Sequence, residues 1–286
     1  MASLLMSWRN KLARRLMSSV LTREQQEHVD KVKVDDAGHG FDRFGMSPQG
    51  VGVGLSLFRH LHDHYFRVKS YGTENIPTSG ATIVVANHSG TLPIDGFMLW
   101  SDILMNTSPP RAGRPVADFF VPALPFINTV FCRGGMIAGS RGNVHAALDA
   151  GELLLIFPEG VRGIGKAYAK RYQLQRWTVG HAELAIRHRA LVLPSAVIGA
   201  EEAWPQAMKI KGLGAFGVPY LPVPATPLPM PTRFHLHYGE PIALFDDYPP
   251  ERASDPEVLR EAAGRVHDAV EALIERGLRM RQGVFS

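Results

Sequence analysis

His88 and Asp95 stand where a run of β-branched residues gives out, and together they are the residue types that move a proton near neutral pH. An imidazole can take the proton of an attacking hydroxyl, and a carboxylate can fix its tautomer and stabilise its cation. Ile83-Val84-Val85 reads as a buried strand that stops at Asn87-His88 and passes into a loop of small residues. Pro93, favoured in a first helical turn, opens an apolar segment from Phe97 to Met105. Strand exits of this kind are where α/β proteins place their chemistry. The same residues also suit a plain loop histidine and a carboxylate at a helix N-terminus, and the pair alone does not choose.

A second apolar strand, Leu153 to Phe157, runs into Pro158-Glu159-Gly160-Val161-Arg162-Gly163. Asn-His followed by Asp, with Phe-Pro-Glu-Gly-x-Arg about seventy residues later, resembles the glycerolipid acyltransferase family typified by bacterial lysophosphatidic acid synthases. Phe126 to Gly135, with Arg133, looks like that family's arginine motif, and Val192-Leu193-Pro194-Ser195-Ala196 resembles its apolar-proline motif. The four blocks keep the family's order over residues 70 to 200.

The resemblance implies transfer of a fatty acyl group from acyl-CoA or acyl-carrier protein to a glycerolipid hydroxyl, with a lysophosphatidate-type acceptor. It implies His88 as general base oriented by Asp95. Glu159, Gly160 and Arg162 would bind and orient the acceptor, and Arg133 would clamp its phosphate. No metal, no covalent intermediate and no cofactor beyond the acyl donor is implied. Two departures bear on the acceptor more than on the reaction. Six residues separate His88 from Asp95, more than the family's usual gap, and Val161 and Gly163 replace its frequent hydroxyl residues.

The elements that must position these groups read as strands alternating with helices. That pattern predicts an α/β fold with a largely parallel or mixed sheet flanked by helices, glycerol-phosphate acyltransferase-like by resemblance. A chain of 286 residues has room for one large α/β domain. Residues 51–286 are assigned to it, with residues 1–50 as an N-terminal helix and linker arm. A single cysteine, Cys132, excludes an internal disulfide and a multi-cysteine zinc site. The formal charge of +4 suits an anionic surface or a phosphorylated substrate, and no RNA-binding signature favours nucleic acid.

Residues 1–21 carry Arg9, Lys11, Arg14 and Arg15 with apolar residues at helical spacing and no acid. They are expected to form a basic amphipathic helix in the interface of an anionic membrane, which makes the protein peripheral at the cytoplasmic face. A helix docked on the protein's own core or a targeting peptide has the same pattern. Residues 22–50 read as a linker or loosely packed arm. Arg59-His60-Leu61-His62-Asp63-His64 is expected to be a solvated helix face, with a metallohydrolase site as its rival. Lys166 to Tyr172 reads either as a solvated face or as the rim of an anion site, with Lys166 as a substrate-binding candidate. Residues 212–232 contain six prolines and no charge, a loop that covers the core or offers a greasy lip to lipid. His235 and His237 are placed on the solvent side of an edge-type strand. A C-terminal amphipathic helix is predicted over 256–280. The alternatives to acyl transfer are a thioesterase using Cys132 with His88, and a non-catalytic lipid-binding protein of the same fold.

Overall fold

The computed structural model describes residue 11 and residues 13–36, 38–89, 93–118, 127–211 and 220–286. Among them the apolar runs form strands β1 (Lys69–Tyr71), β2 (Thr82–Ala86), β3 (Arg114–Ala117), β4 (Ile137–Ala138) and β5 (Leu153–Ile156). These are followed by β6 (Leu191–Ile198), β7 (Gln206–Lys211), β8 (Tyr220–Pro224) and β9 (His235–Tyr238). The helices that position the site are α1 (Arg23–Val29), α2 (Pro48–His60), α3 (Ile94–Asn106) and α4 (Ile127–Arg133). After them come α5 (Arg141–Asp149), α6 (Gly180–His188) and α7 (Pro256–Met280).

Seven strands share a mixed sheet in the order β1-β9-β6-β2-β5-β3-β4, and only β9 against β6 is antiparallel. Strands β2, β5 and β6 are parallel neighbours because helices, not hairpins, return the chain to the sheet's amino edge. Side chains alternate across the sheet as strand geometry requires. Val84, Ala86, Leu155 and Leu193 pack on one side with residues of α2 and α3. Ile83, Val85, Leu154 and Val192 pack on the other with residues of α5, α6 and α7. Burying each of these Val, Leu and Ile side chains contributes about 1.5–3 kcal/mol, so the central strands form a stiff platform. Helix starts are fixed locally: Ser47, Ser140 and Asp255 each accept a backbone N–H of the first turn that follows.

Four segments differ from their sequence-based expectation. β9 is not an edge, since β1 pairs outside it, and His235 and His237 are buried rather than solvated. Both stack against Tyr71. Burial pushes both imidazoles down to about 4, so they are neutral spacers. Residues 22–50 pack closely: Val29, Val32 and Met46 enter the core, and buried Arg114 pairs with buried Asp42. His62 is buried too, because residues 61–65 widen into a π-turn that aims its ring at Asp102. Within 212–232, Tyr220–Pro224 is strand, pairing with β7 in a separate antiparallel ribbon, while residues 212–219 lie outside the described residues.

Residues 13–20 are helical, with Met17 and Leu21 in the core and Arg14 and Arg15 exposed. Residues 1–10 and 12, which carry the rest of the expected amphipathic helix, lie outside the described residues. Among the described residues no helix is long and apolar enough to cross a membrane.

Candidate active site

Three adjacent parallel strands, β5, β2 and β6, end side by side and deliver the polar residues of the site. Asn87 continues β2 with its side chain: its amide donates to the Val197 carbonyl at 2.9 Å and accepts from the Val197 N–H at 2.8 Å. This pins the next residue, His88. The His88 backbone N–H donates to Glu159 Oε1 at 3.0 Å, across the gap to the exit of β5. Its ring Nδ1 lies 2.7 Å from Asp95 Oδ2. Asp95 is wholly buried in the first turn of α3, where it also accepts the N–H groups of Ser89 and Gly96, each at 2.8 Å. Those bonds aim the Asp95 carboxyl at Nδ1, which leaves the ring's other nitrogen pointing away from the helix.

Nε2 of His88 has no hydrogen-bond partner among the described residues, and the half-buried ring lies stacked on Phe157 at 4.3 Å. Burial alone would push this imidazole down. The charge and hydrogen bond of Asp95, with help from Glu159 and Asp118, outweigh that and hold it above its ordinary value.

Behind His88 the exit of β5 carries a cluster of buried charged groups. Glu159 is buried and also accepts the Gln175 N–H at 2.8 Å. The Lys166 ammonium is buried 3.2 Å from Glu159 and 3.0 Å from Glu201, just past the end of β6. Glu201 accepts the Tyr172 N–H at 2.8 Å, and burial raises its carboxyl to about 6 against the pull of Lys166. Gly160 has φ of +52°, a conformation suited to glycine. Gly163 has no room for a side chain, because a Cβ would lie 2.9 Å from the His88 Cβ, the His88 carbonyl oxygen and the Glu159 Cβ. A serine at this position, frequent in the family, would force the His88 backbone to move.

This frame matches known proteins along most of its length. The family model for acyltransferases matches residues 67–198. An uncharacterized protein of Mycobacterium tuberculosis is 35% identical over 258 residues, which span 86% of this chain and 72% of its own. The chain belongs to the acyltransferase family. A chicken protein described as a DGAT1/2-independent enzyme synthesizing storage lipids is 27% identical over 72% of this chain and 58% of its own. The crystal structure of the 1-acyl-sn-glycerophosphate acyltransferase PlsC from Thermotoga maritima shares the fold. It superposes with a TM-score of 0.53 at 19% identity, covering 81% of this chain and 83% of its own.

In this acyltransferase, direct contacts bring together His88, Asp95, Glu159 and Lys166, with Gly160 at the turn between them. Arg162 is exposed beside them. Arg133 makes different neighbours: its guanidinium donates to the Gly45 carbonyl at 3.1 Å and lies 3.4 Å over the Phe41 ring. With Asn128, Thr129 and Cys132 it lines an open cavity of about 200 Å³. Half-buried rings connect the two places, Phe97 packing on both Phe58 and Phe131, next to Gly96 and Phe157. Sequence reasoning did not find Glu201, Tyr172 or Gln175. The available signal for Glu201 was its position three residues after an apolar strand whose parallel neighbour ends at Ala86, two residues before His88.

Proposed function

We propose that this acyltransferase is a membrane-associated O-acyltransferase that moves a fatty acyl group from an acyl thioester to a glycerolipid hydroxyl. Acyl-CoA or acyl-carrier protein is the donor, and a lysophosphatidate-type lipid is the acceptor. The observation that carries this reading is the His88–Asp95 pair, with Nδ1 held at 2.7 Å and Nε2 left for substrate. Nε2 takes the proton as the acceptor oxygen attacks the thioester carbonyl. Asp95 stabilises the imidazolium that forms, as in a serine-less version of triad logic. Backbone N–H groups of the loops after β2 and β5 stabilise the tetrahedral oxyanion. The intermediate then expels the thiolate, which recovers the proton from His88.

In this reading Glu159 and Gly160 shape the site from behind, Glu159 fixing the His88 backbone and Lys166 holding Glu159. Arg162 meets the acceptor's anionic headgroup from the rim, and Arg133 serves a phosphate at the far end of the aromatic path. The rings of Phe157, Phe97 and Phe131 suit acyl chains. Residues 1–21 hold the protein at the cytoplasmic face of an anionic membrane, with Lys11, Arg14 and Arg15 exposed to headgroups and Met17 turned to the core. A covalent thioester route through Cys132 is disfavoured: burial raises its thiol against the pull of Arg133, which leaves little thiolate at neutral pH.

Thiol release from acyl-CoA, measured with and without lysophosphatidate, tests the proposal. Wild-type protein is expected to release thiol only with acceptor, and folded His88→Ala protein to lose at least about a thousandfold of that rate. Acceptor-independent release would instead establish a thioesterase.

A further inference from the structure

Two stretches that meet near His88 carry charge of one sign. Residues 160–182 contain Arg162, Lys166, Lys170, Arg171 and Arg176 and no Asp or Glu. Residues 203–239 contain Lys209, Lys211 and Arg233 and again no acid. The fold places these two stretches against each other. The Tyr220 hydroxyl of β8 donates to the Val161 carbonyl, and there is no space for a Cβ at Gly165 because the Tyr220 ring occupies it. Trp204 and Gln206, at the root of β7, line a narrow cleft with Gly163 and Arg171 that reaches Ser89, the neighbour of His88. Arg162, Lys170, Arg176 and Lys209 are exposed and make no ion pair among the described residues.

The same ribbon is greasy on its outer face. Met208 and Ile210, two residues apart on β7, are 60% and 46% exposed, paired across the ribbon with Val223 and Leu221. Two large apolar side chains side by side on an exposed strand are unusual without a partner. The eight residues that join β7 to β8 in the sequence, Gly212 to Pro219, contain no charge. Pro222 and Pro224 remove two backbone donors from β8, which lowers the cost of bringing this ribbon to a poorly hydrated phase. A protein partner would be equally served by the apolar pair, but two packed stretches with exposed cations and no acid favour a partner that is anionic over its whole extent. That is the character of a bilayer with anionic headgroups.

We infer that the β7–β8 ribbon docks the mouth of the active site on an anionic lipid bilayer, with Met208 and Ile210 entering its apolar margin and the exposed basic residues meeting the headgroups. The inference deepens the acyltransferase reading, since the acceptor would be drawn from that bilayer. It adds a contact at the catalytic end of the sheet to the one proposed for residues 1–21.

Flotation of the full chain with vesicles of phosphatidylcholine, with and without phosphatidylglycerol, is the test. Wild-type protein is expected to bind the anionic vesicles at least about tenfold more tightly, with the difference shrinking in high salt. A Met208→Asp, Ile210→Asp variant, altered only at exposed positions, is expected to keep its melting temperature and lose about tenfold in vesicle affinity with residues 1–21 intact. A Lys170→Glu, Arg176→Glu variant is expected to lose both affinity and salt dependence. Equal vesicle binding by wild type and the Met208/Ile210 variant overturns the inference, as does equal binding to the two vesicle types. Acyl transfer is read in parallel on a short-chain acceptor in solution, where the Met208/Ile210 variant should match wild type, and on acceptor in vesicles, where it should fall. Wild-type protein that floats as described but transfers nothing to either acceptor refutes the acyltransferase reading and leaves the docking surface standing.

Discussion

Helix α3 carries two buried aspartates seven residues apart, and each faces a histidine. At its start Asp95 holds Nδ1 of His88, and the other ring nitrogen has no partner among the described residues. Two turns on, Asp102 meets His62 Nε2 at 3.2 Å, but there Nδ1 is taken as well, by Asp63 at 2.8 Å. Asp102 is itself saturated, accepting the hydroxyls of Ser70 at 2.6 Å and Tyr238 at 2.7 Å. Both imidazoles are raised above their ordinary value despite burial, through the neighbouring carboxylates. Composition and protonation therefore do not distinguish the pairs. What does is a nitrogen left over: a histidine bonded at both ends helps hold Asp102, which ties β1 and β9 to α3, and one bonded at a single end can do chemistry.

Replacing each aspartate by asparagine separates the two roles. Asp95→Asn is expected to lower kcat by about a thousandfold with the fold retained, since an amide no longer stabilises the imidazolium. The same variant should move the acidic limb of kcat/KM. In wild type the base is lost as pH falls through a value above 6.5, because Asp95 raises it. Without that charge, burial dominates and the limb moves to lower pH, read from rates across pH 5 to 9. An unmoved limb would remove His88 from the role of titrating base.

Asp102→Asn should do the reverse. It leaves buried hydroxyls and an imidazole facing an amide, and about 3 kcal/mol of stability should be lost in urea unfolding. The folded fraction should keep kcat within about threefold and an unchanged pH limb. The smallest effect is expected from Gly163→Ala, whose methyl meets His88 and Glu159 at 2.9 Å. The His88 backbone and the Glu159 stem must both give way, so kcat should fall about tenfold and the melting temperature should fall with it. If Gly163→Ala raised activity, the steric account of this glycine would be wrong.

Much of this arrangement could be read from the chain because it is local. The apolar runs, the turn residues after them and the 3.6-residue period of α7, found over the expected residues 256–280, are properties of short windows. The motif blocks around His88 and Glu159 were legible because each follows its own strand, and the sheet sets them side by side. The misread segments depend on partners far away in sequence. His62 is buried by Asp102, 40 residues on, and its π-turn has no period to reveal it. Residues 22–50 look polar because Asp42 hides its charge on Arg114, 72 residues later. β9 alternates like an edge because the three residues of β1 that cover it are too short to announce a strand. Lys166 read as a rim cation, and only the convergence of β5 and β6 shows two carboxylates enclosing it.

The clamp between Asn87 and Val197 has a consequence for chemical ageing. Both functions of the amide are in use, and neither it nor Val197 is exposed to solvent. Hydrolysis of that amide to a carboxylate changes the mass by about one dalton. It would nevertheless set a negative oxygen against the Val197 carbonyl and leave that carbonyl without a donor. The residue next in line is His88, so a lesion too small to alter the surface would loosen the proposed base. The same burial and pairing shield the amide from water, so this lesion should appear only after local unfolding of the site.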